Sequence, residues 1–100
     1  MGIPRGRSSF LYGAPTSRTI TVTTAAAQAL ILGSARMAVT VYVHGTGTLL
    51  WGDSSIAVNS ANVLYPAMSY TWEHIEDGFP LFLRAESVQT IVTVTEYSVP

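Results

Sequence analysis

The stretch Arg36-Met37-Ala38-Val39-Thr40-Val41-Tyr42-Val43-His44 decides the fold. Met37, Val39, Val41 and Val43 alternate with Ala38, Thr40, Tyr42 and His44, and a period of two puts the first set on one face of a β-strand and the second on the other. Three valines on one face and a threonine and tyrosine on the other suit the pleated surface of a central strand. Gly45-Thr46-Gly47 then makes a turn and Thr48 to Trp51 returns. The pair reads as a β-hairpin in which glycine supplies positive φ.

The same texture extends in both directions. Upstream, Ile20 and Val22 alternate with threonines between Thr19 and Thr24, which predicts a strand with one wet face. Downstream, Ile56-Ala57-Val58 and Val63-Leu64-Tyr65 read as short strands, parted by the polar turn Asn59 to Asn62 and closed by Pro66. Ser69 to Ile75 sets Tyr70, Trp72 and His74 against Thr71, Glu73 and Ile75, and Asp77-Gly78 is a strong turn signal after it. Pro80 to Ala85 and Gln89 to Tyr97 supply the last two strands.

Ala25 to Leu32 (AAAQALIL) is the single helix-favouring stretch, two turns with Thr24 as cap and Gly33-Ser34 as stop; a loop or short strand is the alternative. Strands recurring about every ten residues predict an all-β fold, one antiparallel β-sandwich that is jelly-roll-like or a small barrel, over residues 18–100. Residues 1–17 hold three of the eight glycines and two of the five prolines, which predicts an extended N-terminal arm. Within it, Phe10, Leu11 and Tyr12 form an apolar triplet that needs a surface, either its own domain or a neighbour.

Charge is scarce. Asp, Glu, Lys and Arg make up 11 % of the 100 residues, against about 25 % in an ordinary soluble domain. Lysine does not occur, 48 % of residues are hydrophobic, and mean hydropathy is +0.34. Much of the surface must therefore be Thr, Ser, Ala and apolar groups, and a net charge of −1 gives little self-repulsion. That composition predicts a subunit of an assembly, engaged in protein–protein interaction. Arg5, Arg7, Arg18 and Arg36 precede every acid, so the first 36 residues carry +4; Arg84 against six acids leaves −5 on the rest. Such polarity favours contact between copies.

Other function classes lack their residues. With no cysteine there is no disulfide, thiolate metal site or Cys nucleophile. His44 and His74 have no metal-ligand spacing around them, no Gly-x-Ser-x-Gly elbow occurs, and Glu73, Glu76 and Asp77 qualify as a glycosidase pair only by being acidic. Gly45-Thr46-Gly47 is followed by a strand, which leaves no helix N-terminus for phosphate. No enzyme activity, cofactor, metal or small-molecule substrate is expected. Nucleic acid is not expected either, because only Arg5 and Arg7 crowd together. The longest mostly apolar run, Ala25 to Leu32, is too short to span a membrane, and Gly6 stands where a myristoylation signal needs Ser or Thr. Trp51, Tyr70, Trp72 and Tyr97, with Asn59, Asn62 or Asp53 as polar partners, form the candidate platform for a carbohydrate-binding module.

The order of elements from Thr19 to Glu96 resembles the small β-sandwich virion proteins of tailed bacteriophages, of the capsid decoration or cement type. The resemblance is carried by Thr19 to Leu32, by Arg36 with Val39-Thr40-Val41-Tyr42-Val43, and by His44-Gly45-Thr46-Gly47-Thr48. It continues through Leu50-Trp51-Gly52-Asp53-Ser54-Ser55, Leu64 with Pro66-Ala67-Met68-Ser69, and Ile91-Val92-Thr93-Val94-Thr95-Glu96. Members of that group often have Asn before the turn and Gly after the proline, where this chain has His44 and Ala67. The resemblance implies a non-enzymatic structural protein on the virion's capsid surface, a homo-oligomer whose partners are the major capsid protein and copies of itself. A tail or baseplate component is the alternative within virions. Arg5, Arg7, Phe10, Leu11 and Tyr12 of the arm, with Trp51 and Trp72, are then the candidate interface residues.

Overall fold

A computed structural model describes residues 13–45, 47–56, 62–73, 75 and 80–99. Eight strands run β1 (Pro15–Val22), β2 (Gln28–Ala29), β3 (Arg36–Val43), β4 (Leu49–Gly52), β5 (Val63–Leu64), β6 (Ser69–Glu73), β7 (Phe82–Ala85) and β8 (Thr90–Ser98). They form two antiparallel four-stranded sheets, ordered β1-β8-β3-β6 and β2-β7-β4-β5. First pairs with eighth, second with seventh, third with sixth and fourth with fifth, which is a long hairpin folded over into a jelly roll. The all-β sandwich read from the alternating pattern is thus the fold.

Three local expectations differ. The hairpin between Arg36–His44 and Thr48–Trp51 does not form, because β3 lies between β8 and β6 while β4 lies between β7 and β5 in the other sheet. The connection from β3 to β4 instead passes from one sheet to the other, which face each other roughly 10 Å apart. Gly47 is buried on that crossing, where a Cβ would collide with the Thr90 side chain. Ala25 to Leu32 holds no helix; Gln28 and Ala29 pair with Leu83 and Phe82, and Leu30 goes into the core. Extended backbone lets this stretch close the sheet edge, which a short helix could not do. Finally, β1 begins at Pro15, three residues inside the stretch read as arm, and proline is tolerated there because it opens an edge strand. Ala57, Val58, Asn59 and the Asp77-Gly78 turn lie outside the described residues.

Alternation places the core. Val39, Val41 and Val43 of β3 and Val92 and Val94 of β8 are fully buried, and Leu49 and Leu83 meet them from the second sheet. The outer face of the first sheet mixes hydroxyls with exposed Tyr42 and Ile91. Ser17, Thr95, Thr40 and Thr71 stand in register across all four strands, with Ser17 Oγ 2.8 Å from Thr95 Oγ1 and Thr40 Oγ1 2.7 Å from Thr71 Oγ1. Ile75 breaks the expected alternation after β6: its N–H bonds to the Met37 carbonyl (3.0 Å) and its side chain turns into the core.

One charge lies inside. Glu96 continues the inward phase of Val92 and Val94 and is only 2 % exposed. Its Oε1 accepts from the Gly33 N–H and from Arg36 Nε, both at 2.8 Å, and its Oε2 accepts from Arg18 Nη1. Arg18 Nη2 also donates to the Ile31 carbonyl at 2.6 Å, so a single carboxylate ties β1, β3 and the Ile31–Ala35 loop together. Two of the four arginines that look segregated in the sequence are thus consumed by one acid from the other end. Burial pushes the Glu96 carboxyl up, but the bonds from Arg18, Gly33 and Arg36 and the Arg18 charge outweigh it and hold the group below the ordinary glutamate value.

A carboxyl depressed in the folded state contributes stability that is present above its unfolded value, about 4.3, and is lost as pH falls through the folded one. Unfolding free energy should therefore hold from neutrality to about pH 5 and decline below it. Glu96→Gln should cost about 2–3 kcal/mol at neutral pH, less than a fully buried pair because water reaches Arg18, and should flatten the acid decline. Denaturant titrations of both proteins between neutrality and acid pH check this; equal acid slopes would rule the clamp out as their source.

Candidate functional site

The two edges of the sandwich are finished differently, and the one between β4–β5 and β6 gathers the aromatic residues. Tyr70 lies opposite Val41 and Trp72 opposite Val39, so both project on the inner face of β6, an edge strand. Trp51 lies opposite Leu83 and projects inward from β4. The three rings meet where the sheets part. Trp51 stacks on Tyr70 (centroids 5.7 Å apart, planes at 18°), Trp51 meets Trp72 edge-on at 5.0 Å, and Tyr70 meets Trp72 edge-on at 4.7 Å. Such pairs are each worth about 0.5–1.5 kcal/mol beyond area burial.

The cluster is anchored below and open above. Trp51 and Trp72 pack against the core, while Tyr70 is 48 % exposed. Exposed beside it in the chain are Tyr65 (58 %) and Met68 (44 %), which flank the link from β5 to β6. That link is a tight turn: the Met68 N–H bonds to the Tyr65 carbonyl (3.0 Å), with Pro66 first of the two central residues and Ala67 second. Ala67 has φ 66°, the left-handed region that a type II turn demands at this place and that glycine fills best. The turn is clamped to β3 by Ala67 N–H to Val43 O and Val43 N–H to Met68 O, both 2.9 Å, which fixes the height at which Met68 and Tyr70 stand.

Polar groups around the cluster are few. Asp53 follows Trp51-Gly52 and spends its Oδ1 on its own turn, accepting from the Ser55 hydroxyl (2.6 Å) and N–H (2.9 Å). Those two bonds, the hydroxyl foremost, hold its carboxyl below the usual aspartate value, so it is an anion and an acceptor rather than a proton donor. Asn62 is exposed and its carbonyl receives the Trp51 N–H at 3.1 Å. Glu73 is exposed at the end of β6. His44 sits on the opposite side of the sheet, with Nε2 2.7 Å from Thr93 Oγ1 and its ring edge-on to Tyr42. Among the described residues no three His, Asp or Glu side chains converge as metal ligands. The three rings can stack and bury.

Of the residues singled out in the sequence, Trp51 and Trp72 come together and Tyr70 joins them. Tyr97 does not, since it lies on β8 opposite Ala38 and Pro15. Arg5, Arg7, Phe10, Leu11, Tyr12, Asn59, His74, Glu76 and Asp77 lie outside the described residues. Sequence reasoning passed over Tyr65 and Met68, whose signal was two large apolar side chains on either side of a proline turn. No family model matches the chain, and no curated protein or solved structure is significantly similar to it.

Alanine in the left-handed region costs about 1–2 kcal/mol, and glycine's extra unfolded entropy returns about 0.5–1. Ala67→Gly should therefore stabilise by about 0.5–1 kcal/mol and raise Tm by roughly 3–6 °C, read by calorimetry. An unchanged or lowered Tm would contradict the turn assignment.

Proposed function

We propose that the chain is a structural virion protein, a capsid decoration (cement) protein that binds adjacent capsid subunits of a phage head and copies of itself. The observation that carries this reading is the apolar ledge of Tyr65, Met68 and Tyr70 along the β5–β6 edge, backed by Trp51 and Trp72. Single exposed apolar side chains are ordinary, but a group of them rimmed by polar residues is a docking surface. Tyr, Trp and Met are the residue types enriched at protein interfaces, and a few anchors of this kind carry most of the binding energy.

Two further features support it. The outer face of the first sheet presents rows of Ser and Thr with Glu73 as the one acid in register, so another chain can cover it without desolvating many charges. The jelly roll is also an architecture of viral capsid proteins, although lectins and cupins share it and the analogy is one of fold alone. Many modest contacts per particle then add through effective concentration. A tail or baseplate location differs in stoichiometry, so mass spectrometry of purified particles separates the two: copy numbers comparable with the major capsid protein mean shell.

A second reading rests on the Trp51–Tyr70 stack. A half-exposed tyrosine beside a tryptophan, with Asn62 and Asp53 near in the chain, is a surface that could take a sugar ring, as lectin domains do. A glycan array distinguishes it: saturable binding lost in Trp51→Ala and Trp72→Ala favours this reading over the first.

For the leading reading, deletion of residues 2–12 spares β1 and should leave the sandwich folded while abolishing binding to capsid shells. Tyr70→Ala should weaken shell binding about 30-fold, the effect of a hot spot near 2 kcal/mol. Co-sedimentation with undecorated shells, after circular dichroism has established that each variant is folded, measures both. Full binding by both variants would defeat the proposal.

A further inference from the structure

At the opposite edge of the sandwich, β2 and the start of β7 carry an apolar groove. Ala29 to Leu32 and Pro80 to Phe82 run side by side, the Leu30 N–H bonded to the Leu81 carbonyl (2.9 Å), and together they line about 330 Å³ with no charged side chain. Leu30 and Leu81 are its buried floor, and Ile31 stands 75 % exposed on its rim. The Ile31 segment is pre-set: the Ile31 carbonyl takes the Arg18 guanidinium, and the Gly33 N–H is held by Glu96. A groove whose backbone is already fixed loses little freedom when it is filled.

We propose that this groove seats the apolar triplet Phe10-Leu11-Tyr12 of a neighbouring copy, which extends the reading of the arm as a clamp and rests on it. The chain itself supplies a segment of matching chemistry, since twelve residues precede Gly13 and the triplet is the last of them. Where the arm departs is defined. The Gly13 N–H bonds to the Ser98 carbonyl (2.7 Å), and a Cβ on Gly13 would crowd the Ser98 side chain and lie 2.7 Å from the Val99 carbonyl.

The β1–β8 pairing therefore extends to Gly13, at the end of β1 away from Arg18 and the Ile31 segment that Arg18 holds. From Gly13 to Arg18 is about 16 Å of extended strand, whereas Gly13 to Phe10 reaches at most roughly 10 Å. To enter its own groove the arm would have to reverse at Tyr12 and run back alongside β1. A second copy whose β2 edge abuts this end receives the triplet without that reversal. Arm and groove are thus complementary parts of one repeating contact, reciprocal in a closed dimer or head-to-tail in a ring.

Complementation tests this in the full-length chain. Ile31→Asp blocks the groove at an exposed position, and Phe10→Ala with Leu11→Ala blunts the arm; light scattering after gel filtration reads the mass. Wild type should self-associate, each variant alone should associate at least tenfold more weakly, and an equimolar mixture should recover heteromeric association. The mixture recovers because one partner keeps its arm and the other its groove. Since the chain has no cysteine, Leu11→Cys and Ile31→Cys proteins should also form a covalent heterodimer when mixed and oxidised. Association unaltered by Ile31→Asp, with no heterodimer, would sink the groove and leave the arm's clamp role to another surface. A monomeric wild type that still binds shells would sink the inference alone; a monomer that does not bind them would sink both.

Discussion

The register of β8 between β1 and β3 is the constraint on which the rest of the molecule rests. Val92 and Val94 face inward opposite Val43 and Val41, and the same phase carries Glu96 inside and Thr93 and Thr95 outside. A slip of one residue would turn every one of these side chains over, putting hydroxyls into the core and valines into water. Because β1 reads its register from β8 as well, the start of the domain is positioned by its end. That long-range pairing draws the two terminal strands together and lets Arg18 and Arg36 converge on Glu96.

That convergence changes how the charge content should be understood. A chain with eleven charged residues has few to spend, and three are used on an internal clamp. Arg84 is also drawn into structure, donating to the Thr24 and Ile56 carbonyls to hold the segments that run over the second sheet. What remains exposed among the described residues is three acids, Asp53, Glu73 and Glu86, on a surface otherwise mainly of hydroxyl and apolar groups. The low charge and the sparsely charged outer face therefore go together.

The sandwich has two open edges because its sheets are not closed into a barrel. Sheet edges invite further pairing unless something covers them. Here one edge is filled by Trp51, Tyr70 and Trp72, which cap the core while leaving a half-exposed ledge. The other is covered by the Ile31–Ala35 loop, which the Glu96 clamp holds but does not fill, and the groove is what remains. The same architecture thus gathers aromatic side chains at one side and an apolar groove at the other.

Local pattern alone determined a good deal. The period-two run from Arg36 to His44, the strand from Thr19 and the terminal strand are legible because alternation depends on neighbours in sequence; residue type grouped Trp51, Tyr70 and Trp72 as one platform but wrongly added Tyr97, which lies on β8. Which strand pairs with which was not legible. The Gly45–Gly47 turn suits a hairpin locally, yet β3 finds longer partners in β8 and β6, and the link crosses between sheets. Ala25 to Leu32 favours a helix by propensity, and the open side of β7 overrides it. The Glu96 clamp joins residues 60 and 78 positions apart, a separation that no local pattern encodes. Propensity and periodicity act over a few residues, whereas pairing, burial and charge neutralisation are settled only when distant segments compete for the same core.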